Sequence, residues 1–401
     1  MTSFLVLLFA YTLSQFYRSF LAVVSADMTR DLRLDPAALG TLSAAWFFAF
    51  AFAQFPVGYA LDRWGPRRML ALAMLAAVGG ALWLALASGF TDAVIAMVLI
   101  GIGCSPIYMS SLYIVARTRP HQFAFLSSAI LGIGSIGNLL GATPLVLAAE
   151  RFGWRGSLMG IAALTLASAV SVWLLVRDPP PAERTGGDSL LGGLKTILSI
   201  RVIWLLVPLA LVSYAVVIAT RSVWIAPYLT STFGLAPEPL GNAVLAMALA
   251  MSLGAIISGA LERWIGAKTT TACGIAIGTC GFLALGLGYA RDVWAAVAIL
   301  TAIGFFGIMY AVLLEHARSF MPAALVGRGI TFMNFAFIGG SGLVQWLSGR
   351  AVSGWIGEGM AAPEAYQRLF LAFGIALVAA LAIYLFAPPR PARAIRPAPA
   401  P

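Results

Sequence analysis

Charged residues are scarce in this sequence. Asp, Glu, Lys and Arg make up 10% of the 401 residues, whereas hydrophobic residues make up 61%. A soluble domain carries about 25% charged residues, so this chain has too few charges to cover a globular surface in water. The scarcity excludes a soluble enzyme, a disordered chain and a secreted disulfide scaffold. We therefore expect an integral membrane protein whose main partner is the lipid bilayer.

Residues that hold metals and cofactors are also scarce. The three cysteines, Cys104, Cys273 and Cys280, lie inside apolar runs, and we interpret them as small packing residues. The sequence has no Walker motif, catalytic constellation or cofactor fingerprint, so we expect neither an enzyme nor a cofactor or metal. The net charge of +10 is spread over short segments without an aromatic platform, which argues against a nucleic-acid partner.

Apolar runs that are long enough to cross a bilayer, about 20 residues each, occur along the whole chain. We number them as spans 1 to 12: 3–25, 38–61, 69–88, 93–115, 124–148, 154–176, 202–226, 240–261, 269–289, 293–314, 329–352 and 367–387. The first run resembles a signal peptide near Ala26. It lacks a preceding basic stretch, however, and Arg18 interrupts it, so we interpret it as a span.

The longest polar connection, residues 177–201, contains a Pro-Pro-Pro run and a Gly-Gly pair and is typical of a linker. It divides the chain into six-span bundles at 1–176 and 202–387, followed by a basic tail at 388–401 that we expect to be disordered near anionic lipid. Loops on the side of the linker hold most of the Lys and Arg residues, which places both termini in the cytoplasm. We expect an all-α monomer in the bacterial inner membrane.

The two bundles carry matching segments at an offset near 200 residues. Four matches occur in the same order: 34–40 with 235–241, 61–64 with 261–264, 116–117 with 317–318, and 18–19 with 221–222. These matches indicate an internal duplication. Two parallel repeats related by an axis along the membrane normal are an architecture that alternating-access transporters use. A duplicated bundle without a transport role is the alternative interpretation.

The segment after span 2 reads Gly58-Tyr-Ala-Leu61-Asp62-Arg63-Trp-Gly65-Pro-Arg67-Arg68. It resembles the signature that follows the second helix in the major facilitator superfamily of secondary transporters. A degenerate copy at 261–268 occupies the equivalent place in the second bundle, and Gly153-Trp154-Arg155 also fits this family. The resemblance covers essentially the whole chain and implies the major facilitator fold, with two pseudo-symmetric six-helix bundles.

This signature predicts a latch on the cytoplasmic side. Gly58 permits close helix approach and Gly65 permits a tight turn. Asp62, at a helix end, can attract an arginine such as Arg117 while that side is closed, a contact that contributes ~0.3–2 kcal/mol. The basic members have an alternative role in membrane orientation alone. The predicted latch set is Gly58, Asp62, Arg63, Gly65, Arg67, Arg68, Arg117, Glu262, Arg263 and Arg318.

Two arginines lie where lipid is expected, Arg18 in span 1 and Arg221 in span 7. An arginine at the bilayer centre costs from ~2.5 to more than ~10 kcal/mol, and no Asp, Glu or His lies deep enough in a span to neutralise either one. We expect both guanidinium groups to face a central cavity and bind an anion, because their planar donor fork fits carboxylate or phosphate. The alternative is that they snorkel or bond backbone carbonyls. The pair resembles the organophosphate and organic-anion branch of the superfamily.

Polar residues on other spans complete the predicted binding site. Aromatic side chains give a ligand an apolar wall with a polar handle, and amides can fix its orientation, although each residue could instead serve helix packing. The set is Tyr17, Gln54, Tyr108, Asn138, Trp224, Tyr310, Asn334 and Gln345. Asn138 belongs to the glycine-rich run 132–141, which resembles that of antiporters except that Asn138 stands where a proline is expected. We interpret that run as favouring close helix packing.

The sequence therefore predicts a secondary transporter that moves a small organic anion, either a carboxylate or a phosphate ester, by alternating access. Glu315 and His316, at the cytoplasmic end of span 10, are the candidates for proton coupling. Because titratable groups are so few, we favour exchange for a counter-anion over proton symport. A proton-coupled drug or metabolite exporter is an alternative that requires a carboxylate in the membrane. A non-transporting sensor that uses the linker or tail is another.

Overall fold

A computed structural model of the chain describes residues 2–119, 122–178, 197–321 and 326–389. Within these ranges the regular structure is helical. Most of the predicted linker and nearly all of the predicted tail lie outside the described residues. We refer to residues 2–178 as the N-terminal part and to residues 197–389 as the C-terminal part.

The N-terminal part contains nine helices, which correspond to predicted spans 1 to 6. They are α1 Thr2–Tyr17, α2 Leu21–Leu32, α3 Pro36–Trp64, α4 Pro66–Leu86, α5 Phe90–Cys104, α6 Pro106–Thr118, α7 Phe123–Gly134, α8 Ile136–Leu140 and α9 Thr143–Leu175. The helix of span 1 continues as far as Leu32, seven residues beyond the predicted end. Helix α9 covers the end of span 5 and span 6 up to Leu175, with a non-helical Gly153 (φ 69°) between them.

The C-terminal part contains eight α-helices and one turn of π-helix, which correspond to predicted spans 7 to 12. They are α10 Arg201–Ala219, the π-turn Thr220–Trp224, α11 Ile225–Phe233, α12 Pro237–Ile265, α13 Ala267–Gly286, α14 Val293–Gly307, α15 Tyr310–Arg318, α16 Val326–Gly357 and α17 Ala362–Leu385. Most observed helices begin one to five residues before the predicted apolar runs, whereas those of spans 3, 6, 9 and 12 end one to three residues before the predicted ends.

The described residues include ten helical segments that are long and apolar enough to cross a membrane, or eleven if α1 and α2, bent by 48°, form one span. The chain is therefore a multi-pass membrane protein. The predicted span 5 is divided among α7, α8 and the start of α9 and does not meet this criterion. A count of twelve spans and cytoplasmic termini stay predictions.

Besides span 5, four spans are interrupted within the described residues, and these four occupy equivalent places in the two parts. The interruptions fall at residues 18–20 in span 1, Ser105 in span 4, the π-turn in span 7, and residues 308–309 in span 10. Irregular backbone at this depth is tolerated where protein covers it or where it lines a water-filled cavity, and π-bulges occur often at functional sites. Both intramembrane arginines lie in these irregular segments.

The two parts of the chain contact each other closely at one end of the molecule, which we call the closed end. A Cβ added to Gly40 at the start of α3 would lie 2.8 Å from the Cα of Gly349 in α16, so this approach requires glycine. Nearby, the Ser353 hydroxyl donates to Asp35 at 2.9 Å. Thr143 and Asn242 form a second hydrogen bond between the parts, also 2.9 Å long. Residues 2 and 385 lie toward the opposite end.

Candidate functional site

Arg221 lies in the π-turn with only 2% of its surface exposed. Its Nη2 donates to the side-chain oxygen of Asn138 at 3.1 Å. The other two donor groups of the guanidinium, Nε and Nη1, are buried without a hydrogen-bond partner. A buried cation whose donors are not satisfied is costly. The geometry therefore leaves two charged donors available to an acceptor.

Asn138 reaches this arginine because the glycine-rich run packs tightly on α1. A Cβ on Gly137 would overlap the carbonyl oxygen of Thr12, and one on Gly141 would collide with the Ser19 hydroxyl. The short helix α8 therefore lies directly against span 1. The glycines were predicted to pack helices and Asn138 to bind a ligand. Both predictions concern the same contact, because the close packing of α8 on α1 places the Asn138 amide beside Arg221.

Arg18 lies in the turn between α1 and α2 and is half-buried. Its guanidinium carbon lies 5.5 Å from the ring centroid of Trp46 and 5.2 Å from that of Phe50. Nη1 donates to the Tyr214 hydroxyl at 3.4 Å, a long hydrogen bond, and Nε is buried without a partner. Aromatic faces, rather than a carboxylate, stabilise this cation.

The two arginines have several properties in common. Each bonds a neutral side chain from the opposite part of the chain, and they are close enough to interact electrostatically. Among the fully buried side chains of the described residues there is no Asp or Glu. The site therefore has a positive charge that the described protein groups do not neutralise, which fits an anion.

A second set of hydrogen bonds joins the two parts farther from the closed end. The Tyr310 hydroxyl donates to the oxygen of Asn334 at 2.7 Å, and the Asn334 amide nitrogen donates to Gln54 at 3.0 Å. These three residues were predicted individually from the sequence. The structure connects them in one chain across the interface between α3, α15 and α16.

The remaining predicted site residues differ in how their polar atoms are used. The Tyr17 hydroxyl bonds Thr165 at 3.0 Å, and the Trp224 indole donates to Ser348 at 3.0 Å, so both contribute to helix packing. Gln345 is fully buried, and neither atom of its side-chain amide has a partner. Its backbone carbonyl lies against Gly40 at the closed end, so the structure does not bring Gln345 into contact with either arginine.

Sequence reasoning missed four residues around Arg18. Trp46 and Phe50 contact its guanidinium, and Tyr214 bonds it. Tyr11 packs against the predicted Tyr108 with 5.1 Å between ring centroids. One signal could have found the two tyrosines, because each precedes an intramembrane arginine by two helical turns in corresponding spans.

The predicted latch is only partly described. The surroundings of Gly58 and the side chains of Asp62 and Arg63 lie outside what the structure describes. Gly65 has φ 77°, the conformation that its predicted turn requires. Arg67 donates through Nε to the Trp173 carbonyl at 2.6 Å, within the N-terminal part.

Other basic residues of the latch set lie near the surface. Arg68 and Arg263 are exposed. Arg117 lies over the ring of Tyr113. Glu262 is half-buried and makes an interaction of its own.

The two candidates for proton coupling lie at the end of α15, away from the arginines. Glu315 forms a salt bridge with Arg318 of the latch set, with 2.6 Å between Oε2 and Nε. His316 is fully buried. Its Nδ1 lies 2.7 Å from the Tyr384 hydroxyl and its Nε2 lies 3.0 Å from the Pro388 carbonyl. These contacts join α15 to the end of α17.

Comparison with known proteins identifies the family. Residues 7–345 match the family model of the Major Facilitator Superfamily. The chain belongs to this superfamily. The prediction made from the segment after span 2 is confirmed, as is the all-helical membrane fold.

Several transporters resemble this major facilitator. A probable L-galactonate transporter of Escherichia coli is 30% identical over 196 residues, which cover 46% of this chain and 41% of that protein. A hexuronate transporter of Bacillus subtilis is 28% identical over 41% of this chain and 39% of its own length. The chain thus aligns with about two fifths of each relative.

The fold is that of solved major facilitators. A bacterial homologue of the human lysosomal transporter Spinster, in an inward-facing and unoccupied conformation, superposes with a TM-score of 0.76 over 96% of both chains, at 18% identity. The relatives and this structural neighbour carry the names of transporters, in agreement with the prediction that the chain is not an enzyme.

Proposed function

We propose that this major facilitator is a secondary transporter that moves a small organic anion by alternating access. Arg18 and Arg221 hold the negative charge of the anion. The observation that carries the proposal is the state of Arg221, whose guanidinium is 2% exposed and has two unpartnered donors beside a neutral amide. A carboxylate accepts two parallel hydrogen bonds from such a group, which would offset much of the cost of burying it.

The relatives support a carboxylate as the anionic group. Galactonate and hexuronate, the compounds in the names of two relatives, each combine one carboxylate with several hydroxyl groups. Tyrosine hydroxyls and side-chain amides surround the arginines of this chain, and such groups suit a hydroxylated ligand. A sugar acid therefore fits the proposed site better than a phosphate ester does.

Alternating access is supported by the distribution of contacts between the two parts. Backbones touch at the closed end, whereas Arg18 farther along the pathway is half-buried. This arrangement is compatible with an inward-facing state, the conformation in which the Spinster homologue was solved. Because each arginine contacts the opposite part, an anion held by both would draw the parts together, and we propose that this starts closure.

Exchange for a counter-anion is the proposed mode of coupling. Glu315 is bonded to Arg318, and both ring nitrogens of His316 lie within hydrogen-bond distance of protein oxygens. In the described residues, Arg18 and Arg221 bond Tyr214 and Asn138 instead, which supports a mode of transport without proton transfer to the bound anion. We place the transporter in the bacterial inner membrane, with both termini in the cytoplasm.

Uptake into vesicles tests the proposal. The full-length protein is reconstituted into proteoliposomes preloaded with unlabelled D-galacturonate, and uptake of the radiolabelled compound is measured. We expect preloaded vesicles to accumulate label and empty vesicles with an imposed proton gradient to accumulate little. Accumulation of label in the empty vesicles with a proton gradient, and little in the preloaded vesicles, would indicate proton symport instead of exchange.

The matched variants are Arg18→Ala, Arg221→Ala and Arg291→Ala. Arg291 is an exposed arginine outside the site and serves as the control for loss of charge. We expect uptake to fall to background in the first two variants and to persist in the third. Full uptake by both site variants, at matched protein levels, would reject the anion site.

A further inference from the structure

Four tyrosines form two pairs at corresponding places in the repeat. Tyr11 of span 1 packs on Tyr108 of span 4, with 5.1 Å between ring centroids and 34° between ring planes. Tyr214 of span 7 packs on Tyr310 of span 10, with 5.4 Å and 50°. The repeat offset near 200 residues relates Tyr11 to Tyr214 and Tyr108 to Tyr310. We call these residues the tyrosine quartet.

The quartet surrounds Arg18. The Tyr214 hydroxyl accepts a hydrogen bond from its guanidinium, and Tyr11 and Tyr310 lie near it. Tyr310 is also near the other three tyrosines. The two pairs therefore form one cluster to which both parts of the chain contribute. Tyr11 and Tyr214 lie seven residues before the two arginines, on the side away from the closed end.

The quartet presents both apolar faces and polar groups to the pathway. Tyr108, Tyr214 and Tyr310 are half-buried, so their rings border accessible space next to the arginines. The Tyr214 hydroxyl accepts a hydrogen bond from Arg18, and the Tyr310 hydroxyl donates one to Asn334. A tyrosine ring offers an apolar face and its hydroxyl both donates and accepts. The partner that matches such a surface has apolar C–H faces and a rim of hydroxyl groups.

We propose that the tyrosine quartet binds the uncharged body of the substrate and selects sugar acids in the closed ring form over open-chain acids of equal charge. This inference rests on the proposed function, because the arginines must hold the carboxylate for the quartet to meet the rest of the molecule. A pyranose ring has a rigid C–H face that can lie on a tyrosine ring. An open chain loses more conformational freedom on binding and presents no such face.

The polar groups around the quartet distinguish a sugar ring from an aromatic one. A benzoate-type anion would also lie on tyrosine rings, but it has no hydroxyl rim. The Asn334 amide, which bonds Tyr310, and the tyrosine hydroxyls would then lose water without gaining partners. A site built for hydroxyl groups discriminates strongly against a ligand that lacks them. The quartet therefore favours a hydroxylated ring.

Calorimetric titration of the purified full-length protein with D-galacturonate, D-galactonate and benzoate tests the inference. The first two acids have equal charge and carbon number, but only the first closes into a ring with a free carboxylate. We expect galacturonate to bind at least about tenfold more tightly than galactonate, with benzoate weaker than both. The variants Tyr108→Leu and Tyr214→Leu should each weaken galacturonate about tenfold and galactonate less than about threefold, since ring contacts and one hydrogen bond together are worth ~1.4 kcal/mol or more.

Two controls make the outcome interpretable. Tyr289→Leu changes a tyrosine that is 65% exposed and outside the quartet, and it should bind both sugar acids normally. Tyr214→Phe retains the ring and should keep most of the preference. Equal affinity for the ring and open-chain acids, or equal losses for both in the leucine variants, would overturn the role of the quartet while leaving the anion site intact. Binding of neither acid, or normal binding in Arg221→Ala, would instead reject the proposed function.

Discussion

Arg18 and Arg221 occupy the same place in the internal repeat, yet their surroundings differ. Arg18 lies in a three-residue turn, half-buried, over two aromatic rings. Arg221 lies in a π-turn, almost fully buried, with one amide as its bonded partner. The two repeats therefore hold their arginines differently. Aromatic rings contact the Arg18 guanidinium without fixing its orientation, whereas the hydrogen bond to Asn138 fixes the orientation of the Arg221 guanidinium. We infer that Arg221 defines the position of the anion and that Arg18 adjusts to it.

Lysine substitution gives the largest difference between the two arginines. We expect Arg221→Lys to lower kcat/KM for anion uptake by about 100-fold, because lysine lacks the planar fork and each charge-assisted hydrogen bond is worth ~1.5–3 kcal/mol. Arg18→Lys should lower it by only about tenfold, since an ammonium group also interacts with aromatic faces. Initial rates in proteoliposomes measure both values. Equal losses of kcat/KM in the two variants would contradict the different roles inferred for Arg18 and Arg221.

Substitutions of Asn138 test whether the neutral partner of Arg221 matters. Asn138→Ala should raise KM about tenfold, because Arg221 then loses the group that orients it. Asn138→Asp should raise KM further, since a resident carboxylate neutralises the charge that the substrate otherwise meets. Binding titrations of both variants give the comparison. Tighter anion binding in Asn138→Asp would contradict an uncompensated Arg221.

Removing the aromatic surface beneath Arg18 gives the smallest effect. Trp46 is itself buried, but the Arg18 that it contacts is half-buried, and a cation–π contact to such a group contributes ~0.5–1 kcal/mol. Trp46→Leu should therefore weaken anion binding by about threefold. The matched control is Trp294→Leu, whose side chain is 81% exposed and remote from the arginines in sequence. We expect no change in that control. A large effect of Trp46→Leu on the folded fraction, measured by size-exclusion chromatography, would assign this tryptophan to packing instead.

The family and the arginine pair could be predicted from the sequence, because hydropathy, repeat offset and a local signature each depend on near neighbours. The ends of the helices were harder to predict from the sequence. The helix of span 1 continues beyond residue 25 to Leu32, where charged residues end the apolar run but not the helix. Arg30 and Asp27 form an i,i+3 ion pair there, at 2.8 Å, which is compatible with a helical segment outside lipid.

Partners across the two parts were the least predictable feature. Asn138 was selected for its place in a glycine-rich run, but nothing in the sequence pairs it with Arg221. Tyr11 and Tyr214 were overlooked because a single tyrosine in an apolar helix is common. Their significance emerges only when the seven-residue spacing to an arginine is compared between the two repeats. Helix breaks, which aim these side chains, depend on tertiary packing rather than on local sequence.

The seam at the closed end has a consequence for how the molecule responds to its medium. Gly40 and Gly349 meet backbone to backbone, and the neighbouring hydrogen bonds involve Ser353 and Thr143. No salt bridge connects the two parts across the residues that the structure describes. Opening the closed end mainly replaces van der Waals contacts between the two parts by contacts with lipid or water. Mobile ions screen charges and do not screen van der Waals contacts. Raising the ionic strength should therefore weaken the contacts at the closed end little, apart from the hydrogen bond that the Asp35 carboxylate accepts.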